Sequence, residues 1–215
     1  MTETQVIHPL IEAWAAQSKW ELLAVVLAVV YLLLVIRQNA WCWVAALIST
    51  AIYSVLFWDV QLVMQSALNG FYLMMAVYGW WYWRFGHRSG DDPPSTLPIV
   101  RWPWRRHVLV LIMIGLATLI AGGLLTQQGD ANRPFLDALI AWSAVATTFM
   151  VARKVLENWL YWWIINSLAV GLYYEQGLLL TALLHALYLL LALFGWRQWL
   201  RDYRAQRTQR VASSD

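Results

Sequence analysis

Long apolar runs separated by short polar breaks occupy most of the chain from residue 21 to residue 199. A helix needs roughly 20 apolar residues to cross the hydrocarbon core of a bilayer. Seven runs approach that length and predict seven transmembrane helices, at about 21–36, 40–57, 60–83, 107–126, 135–152, 158–174 and 177–199. With 61% hydrophobic and only 13% charged residues, the composition agrees with this pattern. The sequence therefore predicts an all-α membrane protein.

The polar segments outside these runs are the N-terminal residues 1–20, the loop at 84–106 and the tail at 200–215. A short amphipathic pattern over residues 6–17 predicts a helix at the membrane surface. The loop contains prolines and is the one long linker between the predicted helices. We expect the arginine-rich tail to be frayed, because chain ends that do not pack against a domain are poorly ordered.

The distribution of basic residues predicts the orientation of the helices. Seven spans place alternate loops on opposite sides of the membrane, and of the 15 Lys and Arg residues only Lys19 and Arg133 fall on the side of the N-terminus. Cytoplasmic loops carry an excess of Lys and Arg. The N-terminus is therefore predicted outside and the C-terminus inside, and the sharp split also supports a count of seven.

The first three predicted helices align with the last three when the chain is shifted by 116 residues. Trp43 then aligns with Trp159, and the GWxxW motif at 79–83 aligns with the same motif at 195–199. Such self-similarity indicates a structural repeat. A single helix between two three-helix units makes both units point the same way, which predicts a 3+1+3 parallel-repeat arrangement of units 21–83 and 135–199 around linker helix 107–126. Binding sites in such folds lie near the midplane, between the halves.

Polar and aromatic residues inside the spans are the candidates for lining that site. Trp159, Trp162 and Asn166 share one helical face. Two further faces occupy equivalent positions in the repeat. One consists of Gln65, Asn69 and Tyr72, and the other of Thr181, His185 and Tyr188. Weaker candidates on the second helix are Tyr53, Ser49 and Thr50. Amides left in lipid would cost several kcal/mol, so these faces are expected to look inward. The alternative is that they only pack helices and hydrogen-bond one another.

Charged groups are missing from the centre of every predicted span. A buried carboxylate is the usual device for ion coupling, and a phosphate would need Arg or Lys at its site. His185 is the single central titratable side chain. The sequence therefore predicts passive facilitation of an unphosphorylated ring, neutral or cationic, with no metal, cofactor or catalytic residue. A cationic ring would gain about 0.5–2 kcal/mol from indole faces.

The chain resembles the PnuC family of bacterial vitamin transporters over about residues 21–199. The resemblance rests on the 3+1+3 repeat, the NWxxWxxxN run at 158–166, the Gln65/Asn69/Tyr72 face and the repeated GW ends. It implies a fold similar to SWEET sugar transporters in helix count, and facilitated diffusion of nicotinamide riboside across the bacterial inner membrane. It also implies trapping by a cytoplasmic kinase and a homotrimer. Thiamine and riboflavin are taken up by relatives.

The same resemblance implies roles for individual residues. Trp159, Trp162 and Asn166 would hold the nicotinamide-like ring, while Gln65 and Asn69 would meet the ring or the ribose from the first half. The pyridinium of nicotinamide riboside and the thiazolium of thiamine are both cationic, so aromatic faces alone leave these two vitamins unseparated.

Other classes of protein remain as alternatives. A seven-helix receptor would bind its ligand without moving it, although a retinal protein would need a lysine deep in the last span, and Lys19 and Lys154 lie outside the spans. An intramembrane enzyme is disfavoured because the chain has no GxSxG or HExxH motif. The basic tail is explained by topology and anionic lipid, so no nucleic-acid partner is expected.

Overall fold

The computed structural model describes residues 19–59, 63–86, 97–128, 133–175, 177 and 179–212. This part of the chain forms seven helices: α1 (Lys19–Ile36), α2 (Cys42–Asp59), α3 (Val63–Phe85), α4 (Trp104–Gln128), α5 (Pro134–Ala152), α6 (Asn158–Glu175) and α7 (Leu179–Ala212). Each predicted span overlaps one of them. The helix predicted at residues 6–17 lies outside the described residues.

Three of the helices combine the length and the hydropathy of a membrane span, over Trp104–Gln127, Pro134–Ala152 and Leu179–Gln209. Two shorter apolar stretches, Leu22–Ile36 and Cys42–Val55, belong to α1 and α2. Many large apolar side chains of these helices are exposed, as lipid-facing residues are. The regular structure of the described residues is therefore helical, and the chain is a multi-pass membrane protein, as its apolar runs predicted.

Six helices form a closed ring in which each helix packs against two neighbours. The order around the ring is α1, α2, α3, α5, α6, α7 and back to α1. Helix α4 lies outside this ring and packs on α5. The two contacts that close the ring, α3 with α5 and α7 with α1, each join a third helix of one repeat to the first helix of the other. The predicted internal repeat thus coincides with reciprocal contacts between the halves.

The glycine of each GWxxW motif allows an indole ring to approach the helix backbone. A Cβ atom added to Gly79 would lie 2.3 Å from the ring of Trp43, and one added to Gly195 would lie 2.4 Å from the ring of Trp159. Both distances are far below ordinary carbon–carbon contact. The repeated motif therefore encodes one packing arrangement, made once in each half between the second and third helices.

The last tryptophan of each motif crosses to the other half of the molecule. Trp83 Nε1 donates to the Ala152 carbonyl at 2.9 Å, and Trp199 Nε1 donates to the Val35 carbonyl at 3.0 Å. Both acceptors lie in the last turn of the first helix of the opposite half, where carbonyls lack a partner within the helix. Each half thus donates a hydrogen bond to a carbonyl at a helix end of the other half.

Four indoles form a continuous buried group, here called the tryptophan cluster. The ring centroids are 5.7 Å apart between Trp43 and Trp83, 6.3 Å between Trp83 and Trp199, and 5.5 Å between Trp199 and Trp159. All four side chains are less than one-tenth exposed. The cluster fills the ring at the end where α1 finishes and α2 begins.

The described part of the tail predicted to fray, residues 200–212, is helical, and for it that prediction was wrong. Helix α7 continues without interruption to Ala212. Asp202 accepts a hydrogen bond from Gln38 Nε2 at 2.7 Å, and Gln206 accepts one from the backbone N–H of Ile99 at 3.1 Å. These contacts explain the extension, because they give a polar segment partners that the sequence pattern does not reveal.

The second half of the 84–106 loop packs against the helix ring. Val100 N–H donates to the Lys154 carbonyl at 3.0 Å, and its carbonyl accepts from Leu156 N–H at 2.8 Å. Leu97 and Ile99 are buried, and Arg101 pairs with the carboxylate of Glu157 at 2.7 Å. We call residues 97–103 the strap. It covers the same end of the ring as the tryptophan cluster.

Candidate binding cavity inside the helix ring

A cavity of about 180 Å³ lies between five helices of the ring. Its walls combine two indoles with five hydroxyl groups and two alanines. They are Trp43 and Trp162, then Tyr31, Ser49, Thr50, Tyr72 and Thr148, then Ala28 and Ala46. No Asp, Glu, Lys or Arg is among these lining residues. The walls therefore suit an aromatic ligand that carries hydrogen-bonding groups but no phosphate.

The two indoles enter the cavity from opposite halves of the chain. Trp43 lies in the first turn of α2 and its ring rests on Gly79, while Trp162 lies one turn into α6. The indole N–H of Trp43 is buried and has no acceptor among the described residues. A buried donor without a partner is costly.

Several hydroxyls of the cavity are already committed to backbone acceptors. Ser49 Oγ donates to the Ala24 carbonyl, and Thr148 Oγ1 donates to the Ala144 carbonyl, each at 2.8 Å. Each hydroxyl oxygen retains acceptor capacity when its proton is used in this way. The cavity walls thus include hydroxyl oxygens that can accept hydrogen bonds from a ligand.

Of the predicted site residues, Trp162 and Tyr72 line the cavity, together with the weaker candidates Ser49 and Thr50. Trp159 does not line it. Its ring is about 1% exposed, belongs to the tryptophan cluster and covers Gly195. Like its repeat mate Trp43, it has a buried indole N–H without an acceptor in the described part of the chain.

Asn166, which is buried, and His185, which is half-buried, form a pair beside Trp162. Asn166 Nδ2 donates to the Trp162 carbonyl at 2.7 Å, and Asn166 Oδ1 lies 2.8 Å from His185 Nδ1, which places the imidazole proton on Nδ1. The imidazole stacks on Tyr173 at 5.2 Å and meets Tyr188 edge-on at 5.7 Å. Both ends of the amide are therefore engaged within the protein, so in this state Asn166 supports Trp162 and joins α6 to α7.

The remaining predicted residues occupy the same helices but not the cavity wall. Asn69 and Tyr53 are half-buried on α3 and α2 and have interaction partners there, and Thr181 is half-buried on α7. Gln65 lies on α3, and its side chain falls outside the described residues.

Five lining residues were not predicted from the sequence: the alanines Ala28 and Ala46, and the larger Tyr31, Trp43 and Thr148. A signal for Trp43 existed, because it is the repeat mate of the candidate Trp159. Tyr31 is the one aromatic residue within the aliphatic stretch 22–36 of α1, and Thr148 is one of two adjacent threonines. Neither pattern distinguishes a site residue from a packed one.

A larger groove of about 520 Å³ lies outside the ring, between α4 and α6 and above α5. Aliphatic side chains line nearly all of it, with His107, Glu157 and Tyr161 at one end. The smaller cavity is the better candidate for a polar ligand, because its polar groups converge from several helices.

Comparison with known proteins gives a consistent result. A sequence model of the nicotinamide mononucleotide transporter family matches residues 18–201. The nicotinamide riboside transporter PnuC of Escherichia coli (strain K12) is 27% identical over 193 residues, covering 78% of each chain. The riboflavin/roseoflavin transporter RibM of Streptomyces davaonensis is 24% identical over 185 residues, covering 85% of each chain. A crystal structure of the vitamin B3 transporter PnuC has the same fold, with a TM-score of 0.68 at 18% identity, covering 93% of this chain and 88% of that one.

Proposed function

The chain belongs to the PnuC, or nicotinamide mononucleotide transporter, family, and from this premise we propose that it moves unphosphorylated nicotinamide riboside across the membrane by facilitated diffusion. The observation that carries the proposal is an indole-walled cavity inside the helix ring with no charged lining residue. The substrate is taken from the similar nicotinamide riboside transporter PnuC, and the lining of the cavity is chemically compatible with it.

The cavity chemistry favours a riboside over a mononucleotide. A phosphate dianion is bound by Arg, Lys or several backbone N–H groups. The described lining residues contain no cation that would replace its hydration shell. A pyridinium ring, by contrast, gains about 0.5–2 kcal/mol from an indole face. The cavity therefore fits nicotinamide riboside better than the mononucleotide that the family is named after.

The size of the cavity favours one ring over a fused system. Sites for drug-sized ligands measure about 300–1,000 Å³, whereas this cavity measures about 180 Å³. It admits a single heteroaromatic ring, and the ribose needs the walls to separate further. The three fused rings of riboflavin would need a much larger change. Thiamine, with two separate rings, stays an outcome of the experiment below.

We assign the binding role first to Trp162, Tyr72 and Trp43, which line the cavity. Asn166, which pairs with His185, donates to the backbone carbonyl of Trp162. Either side chain becomes a ligand contact when the cavity widens. Trp159 supports the site from behind through the tryptophan cluster. Contacts from Gln65, Asn69, Tyr53, Thr181 and Tyr188 complete the proposed substrate path.

The proposed topology has units 21–83 and 135–199 in parallel, with 107–126 as the linker helix, in a bacterial inner membrane. The reciprocal closing contacts of the ring support the repeat. The N-terminus is outside and the C-terminus inside, on the strength of the basic-residue distribution. Arg133, one of two basic residues on the outer side, is paired with Glu175 at 2.7 Å, which fits that orientation.

Two partners complete the proposal, and both rest on the family resemblance. A cytoplasmic kinase would phosphorylate the riboside, which then finds no complementary charge in the cavity and cannot return. A homotrimer is the proposed assembly. Passive transport is consistent with the lack of a charged group among the cavity walls, since ion coupling usually uses an intramembrane carboxylate.

Uptake of labelled nicotinamide riboside into proteoliposomes tests the proposal. We expect saturable uptake that stops at equal concentrations on both sides and is unaffected by collapsing a proton or sodium gradient. Competition with unlabelled thiamine, riboflavin and nicotinamide mononucleotide ranks the substrates. Saturable binding without uptake would instead identify a receptor, and accumulation against a gradient would contradict passive transport.

A further inference from the structure

Two residues at equivalent positions of the repeat adopt the left-handed backbone conformation. Gln38 has φ of 53° and Lys154 has φ of 50°, and they are the non-glycine residues with positive φ in the described part of the chain. Each follows the first helix of its half, a position that glycine normally occupies. Such strain persists where surrounding contacts hold it, and it is found at switching sites.

The side chains of these two residues contact each other across the boundary between the halves. Lys154 Nζ donates to Gln38 Oε1 at 3.3 Å, and the two residues are 116 positions apart, which is the repeat shift itself. Gln38 Nε2 in turn donates to Asp202 on α7 at 2.7 Å. The contact between repeat mates therefore marks the line where the two halves meet.

Lys154 is buried in this contact rather than exposed on a polar loop. Its side chain is about 4% exposed, donates to the Leu97 carbonyl of the strap at 3.0 Å and lies 4.6 Å from the centre of the Trp83 ring. Burial lowers the pKa of Lys154 to about 8. A buried ammonium is rarely the most stable choice for a fold, so a role beyond packing is indicated.

These groups lie in layers between the cavity and one end of the ring. Trp43 forms part of the cavity wall and also begins the tryptophan cluster. Trp83, in that cluster, has Lys154 over its face, and the strap residue Leu97 covers Lys154. A chain of contacts thus runs from the cavity wall through the tryptophan cluster to Lys154 and the strap.

We propose that Lys154, Gln38, Asp202 and the Leu97 carbonyl form a latch that keeps the cytoplasmic gate of the transporter shut. The inference rests on the proposed function for its direction, because that orientation puts this end in the cytoplasm. The latch ties three pieces that must separate for release: the two repeat halves and the strap. Release of substrate then requires Lys154 Nζ to leave both Gln38 and Leu97.

A native thiol reports directly on this gate. Cys42 is the only cysteine of the chain, is fully buried, and packs in the same core group as Trp83 and Leu97. A shut gate shields it from a membrane-impermeant maleimide, and an open gate exposes it. The measurement is the rate of Cys42 modification in inverted and in right-side-out membrane vesicles, without substrate.

Lys154→Gly and Gln38→Gly are the test variants, because glycine removes the side chain while relieving the positive φ. We expect both to raise the labelling rate about tenfold or more in inverted vesicles, a ratio equal to ~1.4 kcal/mol of lost gate stability. Arg37→Met is the matched control: it removes an exposed neighbouring charge and should leave the rate unchanged. Cys42→Ser should abolish the signal.

The outcomes separate the latch from the transport proposal. Unchanged labelling in both glycine variants overturns the latch, as does an equal increase in Arg37→Met. Faster labelling in right-side-out vesicles alone overturns the cytoplasmic placement. If Lys154→Gly fails to reach the membrane, Gln38→Gly decides by the same criterion. Uptake of nicotinamide riboside plays no part in this assay, so failure of the substrate assignment leaves its result intact.

Discussion

Replacing Gly195 with alanine tests the packing that repeats in the two halves. The added Cβ would lie 2.4 Å from the Trp159 ring, which packs against Trp199 and is about 1% exposed. Since both atoms belong to a rigid helix backbone and a large planar ring, the helices must move apart by about 1 Å to restore ordinary contact. Overpacking of this kind costs about 1–3 kcal/mol.

The same substitution also brings a helix-propensity gain of about 0.8–1 kcal/mol, which acts against the clash. The net loss expected for Gly195→Ala is therefore about 0–2 kcal/mol. Gly171 on α6 supplies the control, because a Cβ there meets no atom within 4 Å. Gly171→Ala keeps the propensity gain alone, so the difference between the two variants isolates the packing cost at about 1–3 kcal/mol.

Equilibrium unfolding in mixed detergent micelles measures that difference, with tryptophan fluorescence as the probe. Gly79→Ala should lose as much stability as Gly195→Ala, because its Cβ would lie 2.3 Å from the Trp43 ring. Its effect on transport should be larger, since Trp43 also lines the cavity. The reasoning fails if Gly195→Ala is as stable as Gly171→Ala, or if Gly79→Ala alone is destabilised.

Three further predictions concern single side chains. Trp162→Ala should weaken binding of the riboside by about 1–3 kcal/mol, by analogy with losses on removing a base-stacking aromatic. Titration calorimetry measures this, and the half-exposed neighbour Trp163→Ala should bind normally. Asn166→Leu leaves the His185 donor unpaired and should lower the free energy of unfolding by about 1–3 kcal/mol. A double-mutant cycle with His185→Leu should show a coupling energy of about 0.6–2 kcal/mol. Additive losses would show that the two side chains do not form the hydrogen bond. Because the pKa of Lys154 falls from its ordinary 10.5 to about 8 on folding, the unfolded chain binds more protons between these values. Wild type should therefore gain up to about 3 kcal/mol relative to Lys154→Met as pH rises from 8 to 10.5, and equal pH profiles would refute the shift.

The helices were predictable from the sequence because bilayer thickness imposes a length on every apolar run. The ends were less predictable, since they depend on tertiary partners. Helix α7 continues past the apolar run to Ala212 because Asp202 and Gln206 bind Gln38 and the strap. The strap itself was read as loop, because a short stretch of Leu97–Pro103 carries no periodicity and its pairing with Val155 is long-range.

The candidate cavity lies between helices of both halves, where the sequence predicted a site, but only some of the predicted residues line it. Helical periodicity placed Trp159, Trp162 and Asn166 on one side of α6, and that side does face the ring. Periodicity does not state how deep along the ring each side chain lies. Trp162 reaches the cavity, whereas Trp159, almost one turn earlier, packs on Gly195. Depth is set by neighbouring helices, which one sequence does not specify.

The repeat shows which residues serve the packing of both halves and which differ between them. Positions that are identical in both halves make paired structural contacts, as with Trp43 on Gly79 and Trp159 on Gly195. These contacts need the same residues twice, because the same two helices must approach equally closely in each half. A small asymmetric molecule at the interface of the halves has no such requirement, since its two sides differ.

Positions that differ between repeat mates therefore supply the asymmetry of the cavity, beside the lining residues Trp43 and Tyr72, which are identical to their mates. The cavity agrees: Trp162 is the mate of Ala46, and both line it. Thr50 also lines the cavity, and its mate Asn166 instead bonds to His185. Exchanging Ala46 and Trp162 would keep the composition of the cavity walls but move the indole from α6 to α2. Such a double variant should stay folded and lose riboside binding; retained binding would mean that the ligand is read by the symmetric scaffold instead.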